Sequence, residues 1–309
     1  MILDDFSKLD LKIGSLALAN PVLPASGCFG PELGQFTKVS SLGAIVPKTI
    51  FLHPRKGNPS PRTAEAPYGM LNSVGIPSKG LEDFLENKIQ DYLSMGPPLI
   101  VSIGGINVSD YWDLAEQLNE ISHVEAIEIN VSCPNIEEGG LEIGSNPKNL
   151  ATLVDGVVKR FSKPVITKLT PNVTSITDIA VAAESSGSTA VSLINTLAAI
   201  GINSNEKTLT TGIGKAGLSG PAIKPIALKM VWEVNNHIRI PIIGMGGISN
   251  TKDALEFILA GASAISIGTA NFTRPNTMLE IIDGLESYAI ENNLNNIQDI
   301  RGEIGQNVN

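Results

Sequence analysis

The sequence predicts an α/β protein whose fold is a single (β/α)8 TIM barrel, with an N-terminal β-hairpin and long loops at the C-terminal face. Eight short runs of apolar and β-branched residues recur at regular intervals, and segments with helical periodicity and capping residues lie between them. None of the eight runs has the polar alternation of an exposed sheet edge, which favours a closed parallel barrel over an open sheet. We therefore expect residues 1–309 to form one domain.

The predicted elements span nearly the whole chain. Before the first strand, residues 9–18 predict a β-hairpin that turns at Gly14-Ser15 and covers the floor of the barrel. The predicted strands are residues 21–26, 44–49, 99–103, 126–133, 165–170, 190–196, 240–245 and 264–269. The predicted helices between them include residues 110–118, 146–154 and 249–260.

Two connections, residues 50–79 and 197–221, are longer than the few residues that usually join a strand to its helix. Both follow a strand, so both belong to the C-terminal face, where barrels of this kind carry their chemistry. Their Pro and Gly residues and low charge predict ordered, packed segments.

The composition excludes several classes of function. Lys and Arg number 22 against 31 Asp and Glu, so the net charge is −9, which argues against a nucleic-acid or anionic-membrane surface and favours a small ligand. No apolar run approaches the roughly 20 residues of a membrane span, and the N-terminus lacks the features of a signal peptide. We expect a cytoplasmic protein.

A metal site is not expected from this sequence. Cys28 and Cys133 cannot supply the four thiolates of an iron-sulfur cluster, and the three histidines are far apart without metal-ligand spacing. Cys28 is interpreted as a packing residue. Cys133 either packs as a small hydrophobe or acts as a general base or nucleophile at the barrel mouth.

Polar residues mark the carboxyl ends of the predicted strands, where they converge on one cavity. Lys48 and Lys168 indicate anionic or electron-rich ligand atoms there, because a buried, unpaired ammonium costs several kcal/mol. The full set is Ser26, Lys48, Thr49, Ser102, Asn130, Cys133, Lys168, Asn195, Thr196, Gly246, Gly247, Gly268 and Thr269.

Glycines after the last two strands predict a phosphate site, because backbone N–H groups can approach a phosphate there. The phosphate could belong to flavin mononucleotide (FMN), pyridoxal phosphate or a phosphorylated substrate. The run Gly212–Gly217 matches G-x-G-x-x-G, but it neither follows a hydrophobic strand nor opens a helix, so we expect no NAD site in this chain.

Four asparagines lie in or beside the predicted mouth. Their amides suit a ring with alternating C=O and N–H groups, such as a pyrimidine, although Asn72 and Asn135 are also ordinary turn residues. The four are Asn72, Asn130, Asn135 and Asn195.

At these residues the chain resembles the dihydroorotate dehydrogenase family, the flavin enzymes of pyrimidine biosynthesis, over nearly its whole length. The matching blocks occur in family order and spacing. They are residues 25–30, 57–62, 70–75, 128–135, 168–172, 194–196, 217–222, 244–247 and 267–269.

The resemblance implies an FMN-binding barrel and assigns roles to matching positions. Lys168 would face the pyrimidine side of the flavin and stabilise its reduced, anionic form, and Cys133 would be the catalytic base. The implied FMN site is Ser26, Lys48, Thr49, Ser102, Asn130, Lys168, Ile194, Gly220, Gly246, Gly247, Gly268 and Thr269. The implied substrate site is Lys48, Asn72, Ser73, Val74, Gly75, Ile76, Asn130, Asn135, Asn195 and Thr196.

The implied reaction converts dihydroorotate to orotate: Cys133 removes a proton from C5, and a hydride passes from C6 to flavin N5. A cysteine at the position of the base resembles the soluble branch of the family. Residues 49–55, 195–197 and 217–225 resemble the NAD-linked type, whose partner subunit carries FAD and a [2Fe-2S] cluster. We expect a homodimer core or a heterotetramer with that partner.

Ser102 departs from this pattern, since the NAD-linked type usually has Asn there, a variation that the fumarate-linked type also shows. A fumarate-linked homodimer therefore remains an alternative. Two further alternatives are another FMN barrel that acts on a pyrimidine, and a phosphate-binding barrel subunit without redox chemistry.

Overall fold

A computed structural model of the protein describes residues 8–132 and 143–304. The strands are β1 (Leu11–Ile13), β2 (Leu16–Leu18), β3 (Val22–Pro24), β4 (Thr63–Ala66), β5 (Gly69–Asn72), β6 (Leu99–Ile103), β7 (Val124–Asn130), β8 (Val165–Lys168), β9 (Ala190–Leu193), β10 (Leu197–Ala199), β11 (Ile202–Asn203), β12 (Thr208–Leu209), β13 (Ala216–Ser219), β14 (Ile242–Met245) and β15 (Ala264–Ile267). The α-helices are α1 (Pro31–Gly34), α2 (Leu81–Asn87), α3 (Ile89–Leu93), α4 (Val108–Asn119), α5 (Pro147–Val158), α6 (Ile176–Ser185), α7 (Lys224–Asn235), α8 (Thr251–Leu259), α9 (Ala270–Thr273) and α10 (Thr277–Glu291). Short 3-10 helices span Val39–Ser41, Ile143–Ser145, Pro221–Ile223 and Ile297–Ile300.

Seven parallel strands form one curled sheet in the order β3-β15-β14-β9-β8-β7-β6, which confirms the predicted barrel class. Residues 43–50 connect the two outer strands. Gly43 N–H donates to Val22 O of β3 at 2.9 Å, and Ile50 N–H donates to Ser102 O of β6 at 2.9 Å. This segment takes the place of the predicted second strand and completes the ring.

The predicted second strand is interrupted rather than continuous. Only Ile45 and Ile50 form parallel bridges to β6, opposite Leu99 and Ile103. Pro47 lies between them and has no N–H to donate, so it removes a ladder hydrogen bond. β6 and β14 end at the predicted residues, 103 and 245, whereas β3, β7, β8, β9 and β15 end two or three residues before the predicted segments do. The residues that follow the strands enter the barrel mouth.

The helices pack outside the sheet and begin at polar capping residues. The Asn107 side chain accepts from Asp110 N–H in a capping box at α4, and the side chains of Asn146, Ser175 and Asn250 accept from backbone N–H groups at the starts of α5, α6 and α8. The apolar faces of these helices cover the outer face of the barrel strands. No helix in the described ranges is long and apolar enough to cross a membrane.

The N-terminal hairpin closes the floor of the barrel, as predicted. β1 and β2 pair antiparallel with Leu11 opposite Leu18, and Gly14 turns the chain at φ +59°. Ile13, Leu16 and Leu18 are buried against interior side chains of the barrel strands, such as Ile100. This apolar floor leaves the opposite end of the barrel for polar residues.

The two long connections meet in a four-stranded antiparallel sheet of order β10-β13-β5-β4. Leu71 of β5 is opposite Leu218 of β13, although they are far apart in sequence. The prediction that both connections are ordered is therefore confirmed. Their joint sheet carries residues of both connections at the barrel mouth.

Candidate active site

The barrel interior changes from apolar to polar along each strand. Side chains two residues apart in a strand face the same side. Ala126, Ile166 and Ala190 lie in the apolar interior cluster, and two residues further on the same strands carry Glu128, Lys168 and Ser192. The buried polar layer therefore follows from strand alternation.

A hydroxyl and amide network joins four of the predicted strand ends. Thr49 Oγ1 lies 3.0 Å from Ser26 Oγ and 2.9 Å from Ser102 Oγ, and Asn130 Nδ2 donates to Thr49 Oγ1 at 3.2 Å. Thr49 and Ser102 are buried. Ser102, the position that departs from the NAD-linked pattern, thus belongs to the buried network and connects through Thr49 to Asn130.

Asn195 extends the network across the mouth. Its Nδ2 donates to Asn130 Oδ1 at 3.2 Å and to Ser132 Oγ at 2.8 Å, while Thr196 N–H donates to Asn195 Oδ1 at 2.8 Å. Ser132 is the last described residue before the gap at 133–142, so Cys133 and Asn135 lie outside the described residues. Asn130 and Asn195, two of the four predicted asparagines, are in direct contact.

Lys168 of β8 forms a buried ion pair with Glu128 of β7. Its Nζ lies 3.5 Å from Glu128 Oε1, and each side chain is less than a tenth exposed. Ser192 Oγ of β9 donates to Glu128 Oε2 at 3.0 Å. The Lys168 ammonium donates no hydrogen bond within the described part of the chain, so its donors are available to a ligand.

Lys48 and Cys28 lie close to each other: Lys48 Nζ would lie 3.3 Å from a Cβ at Gly27, the residue before Cys28. Burial lowers the pKa of Lys48 below 10.5, and the charges of Lys168 and Arg62 lower it further while Cys28 opposes them. Burial raises the pKa of the Cys28 thiol above 9.0, against the attraction of Lys168 and Lys48. The Lys168 charge thus acts on both Lys48 and Cys28.

The predicted substrate loop, residues 72–76, follows β5. Asn72 Nδ2 donates to Gly217 O at 3.3 Å, and a Cβ at Gly217 would collide with Thr196 Oγ1. Gly217 therefore lets Asn72 and Thr196 come close together. Ser73 N–H donates to Arg62 O at 2.7 Å, and Gly75 and Ile76 have φ of +72° and +46°.

The glycines after β14 and β15 leave backbone donors without protein acceptors. The N–H groups of Gly247, Gly268 and Thr269 hydrogen-bond to nothing in the described ranges. Gly247 has φ of +82°, and a Cβ there would lie 2.8 Å from Gly220 O, so the two glycines approach closely. Free, clustered N–H groups of this kind suit a phosphate.

Two other predicted cofactor residues surround these glycines. Ile194 is buried, and a Cβ at Gly246 would lie 3.3 Å from its Cγ1. Thr269 Oγ1 donates to Ser219 Oγ at 2.8 Å, which joins the end of β15 to the sheet of the long connections. The described residues contain no cluster of three potential metal ligands.

Sequence reasoning missed Glu128 as a site residue. The signal was present, since Glu128 precedes Asn130 by two positions in a strand and so faces the same side of the sheet. A carboxylate at such an interior position, beside a strand that carries a lysine, predicts an ion pair.

Comparisons with known proteins agree in naming one family. The model of the family described as dihydroorotate dehydrogenase matches residues 8–288 of this chain. A relative from Thermoanaerobacter sp. (strain X514) is 47% identical over 298 residues, which cover 96% of this chain and 98% of the relative. A relative from Bacteroides thetaiotaomicron is 44% identical over the same coverage, and one from Desulforamulus reducens is 45% identical over 95% of this chain and 97% of the relative. All three are named dihydroorotate dehydrogenase B (NAD(+)), catalytic subunit.

Proposed function

This chain belongs to the dihydroorotate dehydrogenase family, and we propose that it oxidises (S)-dihydroorotate to orotate in pyrimidine biosynthesis with FMN bound at the barrel mouth. The supporting observation is the network of hydroxyls and amides that joins Thr49, Asn130 and Asn195, the last two at the ends of the strands beside that of the buried Lys168 ammonium. The proposal includes the expectation that residues 1–309 form a single FMN-binding domain.

The residues at the mouth fit FMN. The N–H groups of Gly247, Gly268 and Thr269, which have no acceptor within residues 8–132 and 143–304, are suited to its phosphate, together with Gly220 and Gly246. The buried Lys168 ammonium, which lacks a hydrogen bond in the described part of the chain, is suited to the electron-rich edge of the ring. The remaining residues proposed to contact FMN are Ser26, Lys48, Thr49, Ser102, Asn130 and Ile194.

The proposed substrate site consists of residues at the barrel mouth that carry amide, hydroxyl and ammonium groups. Asn130, Asn195, Thr196 and Asn72 present amide and hydroxyl groups that match the edge of a pyrimidine, and the Lys48 ammonium matches its carboxylate. Asn135, Ser73, Val74, Gly75 and Ile76 complete this proposed site.

The reaction removes one proton and one hydride from the substrate. FMN, when bound, supplies the hydride acceptor for the hydrogen at C6. The Cys133 thiolate is the proposed base that takes the proton from C5, and the carbon–carbon double bond of orotate forms as both leave. The amides of Asn130 and Asn195 hold the substrate so that C5 and C6 stay aligned with these two acceptors.

We propose NAD as the final acceptor, reached through a partner subunit that carries FAD and a [2Fe-2S] cluster. The relatives named above are NAD(+)-type catalytic subunits, and two cysteines in the whole sequence cannot hold such a cluster here. A cytoplasmic homodimer core within a heterotetramer is part of the proposal.

Anaerobic addition of dihydroorotate to the purified yellow protein tests the activity directly. Loss of the flavin absorbance near its visible maximum is the expected result, and an unchanged spectrum contradicts the proposal. Turnover with NAD only after addition of an iron-sulfur flavoprotein supports the proposed acceptor, whereas rapid turnover of the chain alone with fumarate favours the fumarate-linked alternative.

A further inference from the structure

Glu128 occupies a position in which a charge is costly. It lies on the interior face of β7, is 5% exposed, and has an oxygen, Oε1, that accepts no hydrogen bond in the described residues. Removing a carboxylate from water costs several kcal/mol unless its partners compensate. The role of Glu128 therefore depends on its two partners, Ser192 and Lys168.

The two partners of Glu128 hold it unequally. Ser192 Oγ donates a hydrogen bond to Oε2 at 3.0 Å, whereas Lys168 Nζ stays 3.5 Å from Oε1. A charge-assisted N–H···O bond is usually about 2.7–2.9 Å long, so the ion pair is open by more than half an ångström. Ser192 thus anchors the carboxylate beside the lysine, and Lys168 keeps its donors for another acceptor.

The three residues lie on adjacent strands of a rigid sheet. Lys168 is opposite Asn130 of β7 on one side and opposite Ser192 of β9 on the other. The carboxylate and the proposed flavin edge are thus competitors for a single ammonium. Extra electron density on the flavin attracts Lys168, and the Glu128 charge repels that density while it retains a share of the lysine.

We propose that Glu128 is a positioning residue that limits how strongly Lys168 favours reduced FMN over oxidised FMN, and so keeps electrons transferable to the next carrier. The inference rests on the proposed function. Ser192 has a part in the same positioning, because its hydroxyl holds the second carboxylate oxygen of Glu128 away from the lysine.

The test measures the affinity of the FMN-free full chain for oxidised and for chemically reduced FMN under anaerobic conditions. Glu128→Gln removes the charge at nearly constant volume, and we expect the affinity ratio to shift about tenfold toward reduced FMN, equivalent to about +30 mV for a two-electron couple. Glu128→Asp keeps the charge and should stay within about threefold of the wild-type ratio.

Ser192→Ala should shift the ratio of affinities for reduced and oxidised FMN in the opposite direction to Glu128→Gln. Without the hydroxyl, Lys168 is the one partner left to the carboxylate among the described residues, so the ratio should shift toward oxidised FMN. A packing defect would instead move Glu128→Gln and Ser192→Ala in the same direction.

An unchanged ratio in Glu128→Gln, or equal shifts in the Gln and Asp variants, overturns the inference. If Glu128→Gln does not fold, Ser192→Ala decides alone, and a ratio that is unchanged or shifted toward reduced FMN overturns it. If the wild-type chain binds neither form of FMN, the proposed function fails as well, so the two failures are distinguishable.

Discussion

The Lys224 ammonium lies 2.6 Å from Asp253 Oδ1 and thereby ties the first turn of α7 to the first turn of α8. Asp253 Oδ2 also accepts hydrogen bonds from the backbone N–H and the hydroxyl of Ser249. A Cβ at Gly247 would lie 2.9 Å from Lys224 Cβ, so this ion pair braces the loop that carries the proposed phosphate site.

Asp253→Asn should lower the free energy of unfolding by about 2 kcal/mol near neutral pH, because a buried charge-assisted contact is lost. Urea denaturation measures this. Asp155→Asn is the control: the Lys159–Asp155 pair is also 2.6 Å long but exposed, so its loss should cost at most a few tenths of a kcal/mol.

The pH dependence of this contribution has a definite sign. Burial alone would raise the pKa of Asp253, but hydrogen bonds from Lys224 and Ser249 outweigh it and hold the pKa below 3.8. The stabilisation is therefore present above the unfolded-state pKa and is lost as pH falls through the lower folded-state value. A difference between wild type and Asp253→Asn that persists undiminished in strong acid would contradict this assignment.

Lys168→Met should lower the free energy of unfolding by about 3–5 kcal/mol, because it leaves the Glu128 carboxylate buried without its cation. The double variant Lys168→Met/Glu128→Gln removes both charges and should recover most of that loss. Equal destabilisation in the single and double variants would show that the ion pair is not responsible. Both variants should retain less FMN than wild type, as measured by the flavin-to-protein absorbance ratio.

As the pH rises, orotate binding should begin to weaken before pH 10.5, the pKa of an ordinary lysine. Burial lowers the pKa of Lys48, so its ammonium loses its proton sooner than a free lysine does, and the affinity for an anion then falls by up to about tenfold per pH unit. Titrations of orotate between neutral and alkaline pH measure the profile. Lys48→Arg should remove the decline from this range, and a decline at the same pH in both proteins would assign it to another group.

Cys133→Ala should retain bound FMN but reduce it with dihydroorotate at least about 100-fold more slowly, because the general base is absent. Stopped-flow absorbance measures the rate. Cys28→Ala is the matched control: burial raises the pKa of Cys28 above 9.0, so it is a neutral thiol near pH 7 and should be dispensable for proton removal. Similar losses in both variants would contradict the assignment of Cys133.

Local patterns were sufficient to predict seven of the eight barrel strands and the hairpin. β-Branched runs and period-two alternation identify strands wherever the chain sits, and the turn at Gly14 needs a glycine conformation, φ +59°. The same alternation contained Glu128, but a carboxylate inside a sheet is normally too costly to expect, so its role emerged only when Lys168 and Ser192 were seen on the two neighbouring strands.

Contacts between distant segments could not be predicted. Asn72 and Gly217 are 145 residues apart, and nothing in either connection specifies that β5 pairs with β13. The lysines and amides were predicted to share a cavity because parallel strands place their carboxyl ends together, whereas the links within the network depend on side-chain rotamers that a sequence pattern does not determine.

The interrupted segment at residues 43–50 affects how many polar side chains it contributes to the interior of the barrel mouth. In a regular strand, neighbours such as Lys48 and Thr49 would face opposite sides of the sheet. Here Thr49 hydrogen-bonds to the interior Ser102, and Lys48 Nζ would lie 3.3 Å from a Cβ at Gly27, so two successive side chains serve the same space. Because residues 43–50 do not pair regularly after Pro47, this segment of the barrel contributes both a cation and a hydroxyl. A regular strand would contribute only one of them.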